Sequence, residues 1–298
     1  MTDDSTLTEL HAAHRQFSSL LEDIRPALHR YCARMTGSVI DGEDLVQDTL
    51  AHAYYELSQL RALPALKTWL FRIAHSRAID FLRRRNRHEN SPLDDALELV
   101  APVADSSDVL EQSQAVDAAL AQYLQLTAAQ RGCVILKDVL DYSLEEIAEM
   151  LEMSVSAVKA ALHRGRVRLR ADAGEAAVIA PRVEFAPELL RYVELFNARD
   201  WDGVRALLVH DVKLDVVARD RRDGLGQVGQ YFTNYAALND WFLRPTWLER
   251  RPVIAVGHGP DAPAEYLVQL TLREGRISEI RDFRHARYIM CDARFERG

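Results

Sequence analysis

Cysteine is scarce in this chain: Cys32, Cys133 and Cys291 are the three among 298 residues, and they lie far apart. That excludes a disulfide scaffold and a CxxC-type zinc site, and it fits a reducing compartment. Long apolar runs are missing, so nothing is expected to span a membrane. The opening MTDDSTLTEL has neither a basic n-region nor an apolar h-region, and the expectation is a soluble, cytoplasmic protein without a secretory signal. Lysine is rare as well, four of 37 basic residues, a skew that fits codon composition better than function. Net positive charge is also lacking. The formal charge of -8, taken alone, argues against a nucleic-acid partner.

What is present reverses that impression. Hydrophobic residues at 48% and charged ones at 28% describe a globular chain, and its length suggests two or three domains. Residues 89–117 hold eight Asp/Glu and no Lys/Arg, so the whole acidic excess sits in one short stretch. From about Leu7 to Arg87 apolar residues recur at helical spacing: Leu20, Leu21, Ile24, Leu28 and Tyr31, then Leu45, Val46, Thr49, Leu50, Ala53 and Tyr54, then Trp69, Leu70, Ile73, Ala74, Ile79 and Leu82. Thr36-Gly37-Ser38 and Pro64 separate these runs, so three or four packed helices are expected. The acidic stretch, with Pro92 and Pro102, reads as a linker in which Leu93, Leu97 and Leu99 suit a short helical turn. A second all-helical unit follows to about Ala173. Beyond Pro181, helices over 187–197 and 201–208 precede strand-like segments at 212–217, 252–256, 265–272 and 277–283, the last two joined at Glu274-Gly275. That last unit is α+β.

The strongest local signal is Tyr142–Arg170, YSLEEIAEMLEMSVSAVKAALHRGRVRLR. Ser143 followed by Glu146 is a capping-box pattern, and Leu144, Ile147, Ala148 and Leu151 share one face of a short helix. Glu152-Met153 is a tight connector and Ser154 caps the next helix. That helix turns Val155, Val158, Leu162 and Leu169 inward, and Ser156, Lys159, Ala160, His163, Arg164, Arg166 and Arg170 outward. Two short helices about a brief turn, the second basic, form a helix-turn-helix with cations for phosphates and guanine edges. The alternative is a solvated basic face on an ordinary hairpin. Upstream, Arg77, Arg83, Arg84, Arg85 and Arg87 follow a run interleaved with Trp69, Phe71 and Phe81. Such arginines bind phosphates and exposed aromatics stack on unpaired bases. Alternatively the aromatics are core and the arginines favour a helix C-terminus.

Three segments, Gly42-Glu43-Asp44-Leu45-Val46-Gln47-Asp48-Thr49, Thr68-Trp69-Leu70-Phe71-Arg72-Ile73-Ala74 and Asp80-Phe81-Leu82-Arg83-Arg84-Arg85, precede the acidic linker and the helix-turn-helix. In that order they resemble bacterial extracytoplasmic-function (ECF) RNA polymerase sigma factors over about residues 10–172. The resemblance implies a core-binding and promoter-melting domain at 10–88, an acidic linker at 89–112 and a helix-turn-helix domain at 113–173. It implies that Asp44, Gln47 and Asp48 dock on core RNA polymerase, although Glu43 or Asp44 also suits a helix N-cap. Trp69, Arg72, Ser76, Arg77, Arg83 and Arg84 would hold the melted downstream promoter element. Ser154, Ser156, Lys159, His163 and Arg164 would read the upstream element of promoter DNA. Ser76 stands where the family usually has Asn, and Ala157, Ala160 and Ala161 stand where Thr, Ser and Arg are common. Gly165 replaces the usual Ala, at about 1 kcal/mol of helix propensity. Base readout then falls to Lys159, His163 and Arg164, and DNA shape gains weight. The linker suits a basic channel near the polymerase active centre, or is a solvated spacer.

Residues 189–204 with Asp211-Val212-Lys213-Leu214, and the later Gly275-Arg276-Ile277-Ser278-Glu279-Ile280-Arg281-Asp282-Phe283-Arg284, resemble a SnoaL-like α+β cone, expected over 187–292. That fold hosts isomerases, cyclases and non-enzymatic modules, so it assigns no activity. His210, Asp211, Asp215, Asp282 and His285 would supply an acid/base pair if several converge. Asp211 also suits a turn cap, and Asp282 a carboxylate–arginine bridge. Arg221-Arg222-Asp223-Gly224 reads as a loop able to contact the sigma domains. The resulting expectation is a multidomain chain of two all-α sigma domains and a cone that serves as a built-in regulator. No catalytic residue, cofactor or metal is expected; the partners are core RNA polymerase, promoter DNA and, as a candidate, a small ligand in the cone. The rival readings are a SnoaL-type enzyme fused to a helix-turn-helix regulator, and a conventional regulator that binds duplex DNA without polymerase.

Overall fold

The computed structural model describes residues 21–57, 65–89, 122–171, 184–236, 240–293 and 295–296. They form two compact units, the first ending with the described residues at 171 and the second starting at 184.

In the first unit, helix α1 (21–36) stops where Gly37 turns left-handed at φ +80° and its N–H donates to Ala33 O at 2.8 Å. Glycine suits that turn because it carries no Cβ to clash. Ser38 Oγ then accepts the Asp41 N–H at 3.1 Å and starts α2 (Val39–Leu57). The N-cap expected at Glu43 or Asp44 is therefore wrong: both lie inside α2, and Glu43 is buried against Arg25 at 2.7 Å. Pro64 lies outside the described residues. Helix α3 (Leu66–Glu89) has 24 residues, a rod of about 36 Å. After α4 (122–124), α5 (Ala128–Val134) runs into a π-helical turn, Ile135–Val139.

Helices α6 (Leu144–Met150) and α7 (Val155–Ala171) form the expected helix-turn-helix. Its capping box is in place, with Ser143 N donating to Glu146 Oε2 at 2.8 Å and Glu146 N to Ser143 Oγ at 3.2 Å. Ser154 Oγ accepts Ala157 N at 3.2 Å, and Glu152 makes the turn at φ 54°.

Helices on both sides of residues 90–121 share one core. Leu28, Tyr31, Met35 and Phe71 pack with Cys133, Ile135, Ile147, Val158 and Leu162. Phe71 sits edge-on between Tyr31 and Tyr142, each 5.5 Å away. Buried Arg131 of α5 donates to the carbonyls of Met35, Leu124 (2.7 Å) and Leu126 (3.1 Å), satisfying an orphan acceptor at the end of α1.

The second unit is the expected α+β cone. Helices α8 (Pro187–Asn197), α9 (Trp201–Ala206) and α10 (Gly224–Ala236) pack on a sheet ordered β2-β1-β6-β5-β4-β3-β7. Its strands are β1 (Leu208–Val216), β2 (Asp220–Asp223), β3 (Phe242–Leu248), β4 (Arg251–Gly257), β5 (Tyr266–Arg273), β6 (Arg276–Asp282) and β7 (Phe295–Glu296). Only β1 and β6 run parallel; the other pairs are antiparallel. Asn197 fastens α8 to β3 by bonding both the N–H and the C=O of Leu243 at 2.9 Å. The strands expected near 212, 252, 265 and 277 are β1, β4, β5 and β6, with Glu274 and Gly275 making the turn at positive φ. The loop expected at Arg221–Gly224 is instead strand β2, whose Arg221 lies opposite Asp215, followed by the first residue of α10. Among the described residues, no helix is long and apolar enough to cross a membrane.

Candidate nucleic-acid interface

Helix α7 divides cleanly. Val158, Ala161, Leu162 and Gly165, at helical spacing, are buried. Ser154, just ahead of it, and Ser156, Lys159, His163 and Arg164 are all exposed, as the sequence predicts; Ala160 is half-buried rather than outward. The hydroxyls of Ser154 and Ser156 lie 3.0 Å apart, so the helix start presents a paired polar edge. Arg166 is taken by Asp138 of the π-helical turn, Nε to Oδ2 at 3.0 Å, and that hydrogen bond raises the guanidinium's pKa. The close approach of α7 to α5 explains Gly165: a Cβ there would come within 2.8 Å of Val134 Cγ2.

Helix α3 carries a basic outer stripe. Arg72, Ser76, Arg83 and Arg84 are exposed and Arg77 is half-buried. Arg72 pairs loosely with Glu152 of the helix-turn-helix at 3.4 Å. Arg85 turns back and donates to Thr36 O at 2.8 Å. Trp69 follows the core alternative. It is 4% exposed and packs with Ala53, Leu70 and Ile73, so it does not offer its ring to an unpaired base. Phe71 is fully buried, and half-buried Phe81 lies under Arg85. Burying these rings against α1, α2 and the helix-turn-helix removes more apolar area from water than any exposed arrangement would.

On α2, Glu43, Leu45, Val46 and Thr49 are buried, while Asp44 and Asp48 are exposed and Gln47 is half-buried. The exposed positions continue along the same side through Ala51 to Tyr55, which is 68% exposed, and Tyr54 beside it is 56% exposed. The helical periodicity counts Tyr54 among the apolar positions of this run, which its exposure corrects, and it passes over Tyr55. The spacing Asp44, Asp48, Ala51, Tyr55 was the available signal.

Known proteins match along the same regions. The family described as Sigma-70 region 2 matches residues 20–88, and Sigma-70, region 4 matches residues 116–169. The ECF RNA polymerase sigma factor SigM of Mycobacterium tuberculosis (strain ATCC 25618 / H37Rv) is 32% identical over 168 residues, 56% of this chain and 82% of SigM. The chain belongs to the ECF RNA polymerase sigma factors. SigG of the same strain is 34% identical over 211 residues, 62% of this chain, and the match spans only 57% of SigG's own length. The crystal structure of M. tuberculosis SigJ aligns with 89% of this chain and 95% of its own at 21% identity and a TM-score of 0.35.

This sigma factor also holds polar groups on its buried sides. His75, on the inner side of α3, lies 2.7 Å from the Tyr31 hydroxyl through Nδ1, and burial pushes its pKa down to about 4. In the cone, Asp282 is buried, and its carboxylate accepts Tyr231 OH (2.7 Å), Tyr235 OH (3.1 Å) and Arg284 N (2.8 Å). Burial raises its pKa, and the hydroxyl bonds oppose that rise. The expected carboxylate–arginine bridge is thus a tyrosine cluster at Asp282. It is a true bridge at Asp215, between Arg221 and Arg281, and at Asp211, on Arg273. His210 and His285 are exposed.

Proposed function

We propose that this sigma factor binds core RNA polymerase through α2 and promoter DNA through α3 and α7, and so directs initiation at particular promoters in the cytoplasm. The observation that carries the reading is the divided face of α7, with five polar and basic residues outside and an apolar seam within. Lys159 and Arg164 supply charge for phosphates or guanine edges, and His163 and the Ser154–Ser156 pair supply further hydrogen-bonding groups. The exposed stripe Arg72, Ser76, Arg83 and Arg84, with Arg77 at its edge, holds the strand of the melted downstream element electrostatically. Trp69 positions that stripe by packing α3 on α2. Asp44, Gln47 and Asp48 form the polymerase-docking side, which Tyr55 extends; a tyrosine within a charged patch is a favoured interface anchor.

The work is done by binding free energy, and no bond is made. The domains follow the boundaries 10–88, 89–112, 113–173 and 187–292, and the cone regulates the rest. A catalytic cone finds support in Asp282, but three donors already occupy that carboxylate. Run-off transcription with core polymerase on genomic fragments tests the reading. Transcripts that need this chain, and vanish with Asp48→Arg, are the expected result. Tight duplex binding without any polymerase-dependent transcript would favour a conventional regulator.

A further inference from the structure

The Arg166–Asp138 pair uses only half of an arginine fork. A guanidinium has one hydrogen-bonding edge made by Nε–H with an Nη2 hydrogen, and another made by Nη1 with the second Nη2 hydrogen. Asp138 fills the first: Arg166 Nε donates to Oδ2 at 3.0 Å and Nη2 donates to Oδ1. The second edge has no protein partner among the described residues, and the side chain is 43% exposed. Because the group is planar, that open edge is turned away from the carboxylate that holds it.

Local packing sets the arrangement. Helix α7 comes closest to α5 at Gly165, opposite Val134. Arg166 is the next residue of α7, and Asp138 lies one turn past Val134, in the π-helical turn whose wide bond joins Leu140 N–H to Ile135 O at 3.1 Å. Lys137 beside it donates to Tyr142 O at 3.0 Å and to Asp141 Oδ1 at 3.3 Å, which leaves Asp138 to Arg166. Along α7 the exposed residues Lys159, His163, Arg166 and Arg170 recur at helical spacing, so the held arginine stands in the stripe of the residues that face DNA.

We propose that Arg166 is a further DNA-contacting residue and that Asp138 is its positioning residue. Asp138 fixes the guanidinium so that the open edge meets two acceptors side by side, either O6 and N7 of a guanine or two oxygens of a phosphate. The proposal rests on the reading that α7 binds DNA. A fork ordered before DNA arrives avoids the ordering cost at binding, worth about two- to tenfold in affinity. The carboxylate also brings negative charge toward the DNA, which acts in the opposite direction, so the experiment has to separate the two effects.

The test uses the full chain and a duplex selected from random sequence by the wild type, with binding read by fluorescence anisotropy. Arg166→Ala should lower affinity about tenfold, and so should Arg166→Lys, which keeps the charge and loses the fork. Asp138→Ala should lower affinity about fivefold where Arg166 is present, and should cause no loss in an Arg166→Ala background. Single 7-deazaguanine or methylphosphonate substitutions along the duplex then locate the contact. One position should matter to the wild type and not to Arg166→Ala, and Asp138→Ala should blunt that same position. A deazaguanine position identifies a guanine edge, and a methylphosphonate position identifies a phosphate. If Asp138→Ala tightens binding only where Arg166 is present, the carboxylate withholds the arginine, and the proposal is overturned. A loss spread evenly over all positions, the mark of a misplaced helix, would also overturn it, as would Arg166→Lys binding like wild type. If Lys159→Ala/Arg164→Ala binds this duplex as wild type does, the DNA reading of α7 falls and takes the proposal with it. A clear loss in that double variant beside an unchanged Arg166→Ala overturns the proposal alone.

Discussion

Helices α3 and α7 are both arginine-rich and amphipathic, and both resemble DNA-binding segments, yet they place their side chains differently. Helix α7 buries small and aliphatic residues along one seam, Val158, Ala161, Leu162 and Gly165, and leaves its basic side open. Helix α3 buries Trp69 and Phe71, turns His75 inward to Tyr31, and gives Arg85 to a backbone carbonyl of α1. The cause is neighbourhood. Helix α3 is packed by α2 along one side and meets Tyr31 of α1 and Tyr142 ahead of α6 on another, whereas α7 rests mainly on α5 and α6. Arginine clusters report a ligand surface on either helix, but interleaved aromatics report one only where the helix is peripheral.

The sharpest way to break this contrast is Trp69→Ala. If Trp69 is core, truncation should destabilise the protein by about 3–5 kcal/mol, as large aromatic-to-alanine changes in cores do. Denaturant unfolding measures it. Unchanged stability with weakened binding to single-stranded DNA would restore the ring to the nucleic-acid surface.

His75 gives the next effect, through pH. Its folded pKa of about 4 lies below the ordinary imidazole value of 6.5, so the unfolded chain binds the proton first. The neutral imidazole therefore contributes its full stability above about pH 6.5, and this contribution drains away as pH falls toward 4. The loss should total about 3 kcal/mol. Unfolding free energies at pH 7.5 and pH 4.5 should diverge less in His75→Asn than in wild type. Equal divergence would place the acid sensitivity elsewhere.

How far the sequence revealed all this depended on the range of the interaction involved. The capping box at Ser143 and Glu146, the Ser154 cap and the open face of α7 are set within a few residues, and each was legible. The burial of Trp69 depends on α2, and α3 is apolar on more than one side, so periodicity alone left its orientation open. In the cone, Pro245 inside β3 and Gly224, Gly226 and Gly229 within α10 hid both elements, because those residues ordinarily mark breaks. Strand β2 is four charged residues, and its pairing with β1 supplies what its composition lacks.

On the α7 side of the comparison, Lys159→Ala and Arg164→Ala should leave stability unchanged and weaken DNA binding. A residue on a base edge should cost about 1–3 kcal/mol and relax sequence preference at one position. A residue on phosphate should weaken all sequences alike and lower the salt slope by about one unit. Fluorescence anisotropy across salt concentrations and promoter variants separates the two. Wild-type binding by the double variant would move the recognition surface off α7.

The smallest predicted effect tests whether α7 also has a buried side that matters. By sequence alone Gly165→Ala should stabilise, because alanine is favoured over glycine by about 1 kcal/mol within a helix. The structure opposes this. The new Cβ would meet Val134 Cγ2 at 2.8 Å, closer than carbon atoms tolerate, and its next neighbour is the Gln130 Cβ at 3.5 Å. Val134 is itself buried with Cys133 and Ile135, so it has little room to yield. Overpacking a core of this kind costs about 1–3 kcal/mol, which exceeds the propensity gain. The net result should be a destabilisation of about 1 kcal/mol, read from the denaturant midpoint at constant slope. Gly165→Ala in a Val134→Ala background, where the opposing methyls are gone, should recover the stabilising sign. A gain in stability from Gly165→Ala alone would show that α7 sits more loosely on α5 than this close approach implies.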